Sequence, residues 1–130
     1  MRVKVKRVRP EYASINPRGE IVLNPSVFRL LGGINYVSLH FEDERRLIAI
    51  ARPTMGGRIY NVMPYGRGGR LRVIRARLFT RELGIHIPET LVFTEIRSDV
   101  EGILILNLGT ARPSRRAIAW GERGEGTSEK

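Results

Sequence analysis

Two segments of this 130-residue chain are variants of one unit, and that repeat limits the folds open to it more than any other feature. GEIVLNPSVFRLLGG at 19–33 and LRVIRARLFTRELGI at 71–85 superpose at an offset of 52. Ile21 and Val22 then fall on Val73 and Ile74, Val27 on Phe79, Arg29 on Arg81, Leu31 on Leu83 and Gly32 on Gly84. Each copy reads as a β-branched pair, a short polar break, an apolar turn of helix and a closing glycine. A strand-like run follows each copy, at 36–41 in the first and 90–96 in the second, and a further apolar strand ends each half, at 47–51 and 103–106. A supersecondary unit of about fifty residues cannot bury its own apolar face, so two in one chain point to a fold closed by pairing the halves. Chance likeness between strand–turn–helix segments is the plain alternative.

Local signals fill in the unit. Residues 2–9 alternate basic residues with Val3, Val5 and Val8, and the Lys6-Arg7 doublet breaks the period, as in a half-buried strand with a bulge. Residues 12–15 form a short strand, and Asn16-Pro17-Arg18-Gly19 is a turn. Asn24-Pro25 is an N-cap followed by proline at the first helical position, which predicts a helix over 26–31 ended by Gly32-Gly33. A hairpin is expected over 36–42 and 46–51. Residues 53–69 hold five glycines and two prolines and read as a connector with one strand near 58–63. In the second half a helix is expected at 76–83, a turn at 86–89 and a hairpin of 91–96 with 103–108. An edge strand is expected at 116–120. GERGEGTSEK at 121–130 has no large apolar residue and is expected to be a disordered tail.

These elements predict one mainly-β barrel domain over 1–120, with units at about 12–52 and 58–109 and two short helices. The absence of Cys removes disulfides, thiolate catalysis and Cys-ligated zinc. The charged opening lacks the apolar stretch of a secretory signal, and no apolar run approaches the ~20 residues of a membrane span, so a soluble cytoplasmic protein is expected.

Charge narrows the function. The net charge is +10, and all but Lys4, Lys6 and Lys130 of the 23 basic residues are Arg. Between Glu44 and Glu82 there is no acid, while ten Arg from Arg45 to Arg81 fall there. Such a block makes a positive field that draws polyanions, and Arg forks onto phosphates and guanine edges as Lys does not. Genome-wide preference for Arg over Lys would explain the residue type but not the acid-free block. Tyr65-Gly-Arg-Gly-Gly-Arg70 has the composition of one RGG-box fragment, and equally of a flexible connector. Arg77 and Arg81 stand at i and i+4 on one helix face, with Leu78, Phe79 and Leu83 as its apolar side.

Other constellations carry less. His40 and His86 have no partner at ligand spacing, and Ser14, Ser26 and Ser38 have no base nearby in sequence. No phosphate-loop or nucleophile-elbow motif occurs. Glu42-Asp43-Glu44 reads as a solvated hairpin tip, a weak cation site or a negative spot that sets partner orientation. Trp120 is expected in the barrel edge, with base stacking as the alternative.

A strand opened by Gly, a break with Pro, a short Arg-bearing helix, Leu-Gly and a hairpin resembles the AbrB/SpoVT-like family of swapped-hairpin DNA-binding regulators and antitoxins. Gly19, Ile21, Val22, Leu23, Val27, Leu31 and Gly32 match its pattern, and Arg29 falls at or beside the helix Arg. Glu20 stands where the family has a DNA-facing Arg, Asn24 where it has Pro, and Ser26 where it often has Glu. The second copy keeps Arg72, Arg81 and Leu83-Gly84, while Leu71 replaces the Gly and Pro is missing. The resemblance covers about ninety residues. It implies a pseudo-two-fold cradle-loop barrel, like the fused double-psi relatives, closed by one chain, with a homodimer also compatible. The expected function is a non-enzymatic, cofactor-free DNA-binding regulator or antitoxin. The alternatives are an RNA-binding ribonucleoprotein component and a protein-interaction barrel. The phosphate-contact candidates are Arg18, Arg29, Arg58, Arg67, Arg70, Arg72, Arg75, Arg77 and Arg81; no metal ligand is expected.

Overall fold

A computed structural model of the chain describes residues 11–114. The expected strands at 2–9 and 116–120, Trp120 and the tail at 121–130 lie outside the described residues. The elements in chain order are β1 (Ala13–Ile15), β2 (Glu20–Leu23), α1 (Pro25–Leu30), β3 (Tyr36–Glu42), β4 (Leu47–Ala51), β5 (Tyr60–Tyr65), β6 (Leu71–Arg75), α2 (Arg77–Glu82), β7 (Leu91–Val92), β8 (Ile96–Ser98), β9 (Leu104–Asn107) and β10 (Arg112–Pro113). The strands form one curled antiparallel sheet in the order β10-β7-β1-β2-β6-β5-β3-β4-β9-β8, so the protein is mainly β with two short helices.

Turn and cap chemistry sets the first unit. Asn16 Oδ1 accepts from the N–H groups of Arg18 and Glu20, both at 3.0 Å, and fixes the β1–β2 turn. Asn24 caps α1 by accepting from the Val27 N–H at 3.0 Å, with Pro25 at the first helical position. α2 has no side-chain cap. It is held by packing: Phe79 is buried and meets the Tyr60 ring edge-on at 6.5 Å.

The two copies of the repeat touch directly. β2 pairs with β6, Ile21 opposite Ile74 and Val22 opposite Val73. Ile21, Leu23 and Ile74 enter the apolar core with Val27, Val37, Ile48, Ile50, Leu104 and Leu106. Val22 and Val73 lie on the other face of the sheet. This corrects the offset of 52 for the strand, which would place Ile21 of the main apolar cluster on Val73, buried outside that cluster on the opposite face. A one-residue slip exchanges the faces of a strand. Like faces coincide at 53, with Ile21 on Ile74 and Leu23 on buried Ala76, while Val27 and Phe79 keep 52.

Three further expectations are corrected. The run 91–96 is two short strands in different parts of the sheet, because Phe93 turns into the core and gives its N–H to the Ala13 carbonyl at 2.9 Å. β7 therefore pairs with β1 and β10, and β8 makes the last hairpin with β9. The connector is shorter than 53–69, since β5 runs through Pro64 and pairs with β6; residues 66–70 are the turn between them. Finally, Leu78 and Leu83 of the second helical segment are about half exposed, and only Phe79 of that expected apolar trio is buried.

Candidate nucleic-acid interface

Charge is segregated along the sheet. Glu42, Asp43 and Glu44 lie at the end of β3 and in the β3–β4 turn, and Glu95, Asp99 and Glu101 adjoin β8 and β9. Among the described residues, only Glu20 and Glu82 bring acid to β2, β5, β6 and α2, the elements that carry Arg72, Arg75, Arg77 and Arg81.

Two arginine groups stand at opposite ends of β6. At the first end, Gly66 to Arg70 folds into a tight turn closed by the Gly69 N–H to the Gly66 carbonyl at 3.0 Å. Arg67 and Arg70 project from it, exposed, with no ion-pair or hydrogen-bond partner among the described residues. Arg72 lies beneath. Its guanidinium donates to the carbonyls of Gly69 at 2.8 Å and Leu71 at 3.2 Å and sits 4.8 Å from the centre of the Phe28 ring. Arg72 thus ties the turn of the second copy to α1 of the first. Arg29, on α1, is exposed and is within 3.4 Å of the Ser26 hydroxyl.

At the other end, the first copy's turn meets α2. Gly19 has φ +78°, and a Cβ there would stand 2.9 Å from Arg77 Cα and 2.9 Å from Thr80 Oγ1. Glu20 is 14 % exposed and gathers its neighbours: Asn16 Nδ2 donates to it at 2.8 Å, Arg18 reaches it at 3.2 Å and Arg75 at 3.6 Å. The Asn16 hydrogen bond, outweighing desolvation together with the bond and charge of Arg18 and the charge of Arg75, holds the Glu20 carboxyl below its ordinary range. Arg58 pairs with Glu82 of α2 at 2.9 Å. Arg77 and Arg81 are exposed and unpaired among the described residues.

The nine candidates are therefore not equivalent. Arg67, Arg70, Arg77 and Arg81 offer free guanidinium groups; Arg18, Arg58 and Arg75 are held by carboxylates but remain solvent-facing. Arg72 has a packing role. Sequence reading missed that role because it rests on Phe28, 44 positions earlier and one element away in space.

Two grooves were not foreseen. One of about 550 Å³ lies beside β9 and is lined by Arg45, Arg97, Glu95 and Asn107 among others. Arg45 is bound to Glu42 there and Glu95 supplies an opposing charge, so the larger groove is electrostatically mixed. The other, about 340 Å³, lies between α2 and the outer face of β5 and β6, with Arg58, Asn61, Met63, Val73, Arg75 and Leu78 in its lining and no acid. Contiguous exposure of Ile59, Met63 and Leu78 is a signal that only tertiary structure reveals.

No group of three or more His, Cys, Asp or Glu able to hold a metal occurs among the described residues. No helix among them is long and apolar enough to cross a membrane. No protein-family model, curated protein or solved structure matches the chain.

Proposed function

We propose that this protein binds nucleic acid through the arginine face of β5, β6, α2 and the turns at either end of β6, as a DNA-binding regulator or antitoxin of the AbrB-like type. The observation that carries the reading is the charge segregation among the described residues, with Arg67, Arg70, Arg77 and Arg81 unpaired there on the acid-poor part of the sheet and most acids of those residues on the β3–β4 and β8–β9 hairpins. The two ends of β6 are roughly 13–17 Å apart for a strand of this length. That spans about four phosphates along one B-DNA strand, so both groups can contact one backbone.

A pseudo-two-fold barrel of the cradle-loop kind is supported by the strand order. The run β7-β1-β2-β6-β5-β3 reads the same from either end once β1, β2 and β3 are exchanged for β5, β6 and β7. The contacts are reciprocal as well: the turn before β2 packs on α2, and the turn before β6 is tied to α1 through Arg72. Glu20 departs from the family's DNA-facing Arg, which moves the expected contact surface to the second copy. DNA is preferred over RNA on the family resemblance.

The test is binding of fluorescent duplex DNA and of heparin across a salt series. Four phosphate contacts give a log–log slope of about −3 to −4, and each of Arg67→Ala, Arg70→Ala, Arg77→Ala and Arg81→Ala reduces its magnitude by nearly one. Absence of binding to DNA, RNA and heparin at low salt overturns the proposal.

A further inference from the structure

We infer that the groove between α2 and the outer face of β5–β6 takes an unpaired nucleobase, so that the protein binds a single strand of nucleic acid in addition to the duplex backbone of the reading above. The inference rests on the nucleic-acid reading above and adds the ligand's form.

The groove's chemistry is that of a nucleotide. Its apolar walls are Met63 and Leu78, 43 % and 49 % exposed, with Val73 fully buried behind them. These are apolar surfaces at which the π-face of a base can lose water. Asn61 lies in the same lining, exposed, its side-chain amide without a hydrogen-bond partner among the described residues. An amide has both donor and acceptor, as a base edge requires. Arg58 and Arg75 also line it, each a cation able to meet a flanking phosphate. Each is held by one carboxylate, Glu82 at 2.9 Å and Glu20 at 3.6 Å, which leaves further N–H donors of a five-donor guanidinium unused.

Size and charge separate this occupant from others. At about 340 Å³ the groove is at the small end of ligand sites, which run from roughly 300 to 1,000 Å³, and suits one ring system between charges. A stacked, paired base in a duplex cannot present its face to Met63 and Leu78. Base-on-side-chain contact with an unpaired strand is worth about 1–3 kcal/mol per base for aromatic platforms, and apolar walls should reach the lower part of that range, about 5- to 10-fold in affinity.

The experiment uses the full chain and fluorescence anisotropy with four probes: oligothymidylate and oligouridylate of about twelve nucleotides, an abasic deoxy-oligomer of equal length, and the matching duplex. Oligothymidylate and oligouridylate should each bind at least 5-fold more tightly than the abasic strand, while duplex affinity, with its bases stacked and paired, should not respond to substitutions in the groove. Met63→Ala and Leu78→Ala should each erase the advantage over the abasic strand, and Leu78→Ala, which leaves the Arg75 to Met63 Sδ contact at 4.0 Å in place, should leave heparin affinity unchanged. Both side chains are surface-exposed, and circular dichroism checks that the fold persists. Equal binding of the abasic strand, or an advantage that survives both substitutions, overturns the groove assignment while heparin binding keeps the arginine reading alive. Loss of binding to every polyanion in the wild-type protein overturns both.

Discussion

Replacing Gly19 with Ala probes the contact that joins the two copies of the repeat. The residue has φ +78°, and its missing Cβ would lie 2.9 Å from backbone Cα of Arg77 and 2.9 Å from Thr80 Oγ1. Two costs combine. A left-handed conformation costs a non-glycine residue about 1–2 kcal/mol, and forcing a methyl group into a packed contact costs about 1–3 kcal/mol. Gly19→Ala should therefore lose about 2–5 kcal/mol, a large part of the ~5–15 kcal/mol typical of a domain. Gly84→Ala is the internal control, with φ +66° and nothing within 4 Å of its would-be Cβ. It should lose only the conformational part, about 1–2 kcal/mol. Urea unfolding followed by circular dichroism measures both, and thermal melts should show Gly19→Ala lower by on the order of 10 °C. If the two variants are equally stable, the turn of the first copy does not press on α2 and the reciprocal packing is wrong.

Removing Arg72 should act on stability more than on binding: Arg72→Ala abandons the ring contact with Phe28 and the bonds to the Gly69 and Leu71 carbonyls, for about 1–3 kcal/mol in urea unfolding. A loss of DNA affinity larger than that of Arg77→Ala, with stability unchanged, would reverse its assignment. Glu20 makes the protein acid-sensitive. Its carboxyl is held below the ordinary value of 4.5, so the stability it contributes is present above that value and is lost as pH falls from there through the lowered one. Glu20→Gln should be less stable at neutral pH and lose less stability over that interval; an unchanged acid limb in its stability profile would show that the Asn16, Arg18 and Arg75 contacts are not maintained in solution.

Much of the fold can be read from short-range chemistry. Asn24-Pro25 at the start of α1, the Asn16–Gly19 turn and the hairpin of β3 and β4 are local devices, written in consecutive residues. What fails is long-range. The run 91–96 looks like one strand because Leu91, Val92, Phe93 and Ile96 are apolar and Val92, Thr94 and Ile96 are β-branched, yet Phe93 is needed in the core beneath β1, and the chain divides around it. The repeat is visible, but its strand register is not. Composition cannot distinguish Ile21 on Val73 from Ile21 on Ile74, because both are β-branched; only the partner strand decides which face is inside.

The same limit applies to the candidate site, and it explains why one arginine misleads. Counting cations along the chain gives nine comparable candidates, but a guanidinium's role depends on what stands opposite it. Glu20 faces Arg75 across β2–β6, at the rung next to Ile21–Ile74, and so converts a position that resembles a DNA contact into an internal anchor. Arg72 faces Phe28 and becomes a strut. Among the described residues, the candidates left with no ion-pair or hydrogen-bond partner are then those on the turn and helix at the two ends of β6, Arg67 and Arg70 at one and Arg77 and Arg81 at the other. The packing between copies thus also sets the site, because the turn tied to α1 presents the first pair and the helix pressed by Gly19 presents the second. A substitution that loosens either junction should lower affinity for polyanions along with stability, whereas neutralising one exposed arginine should lower affinity alone.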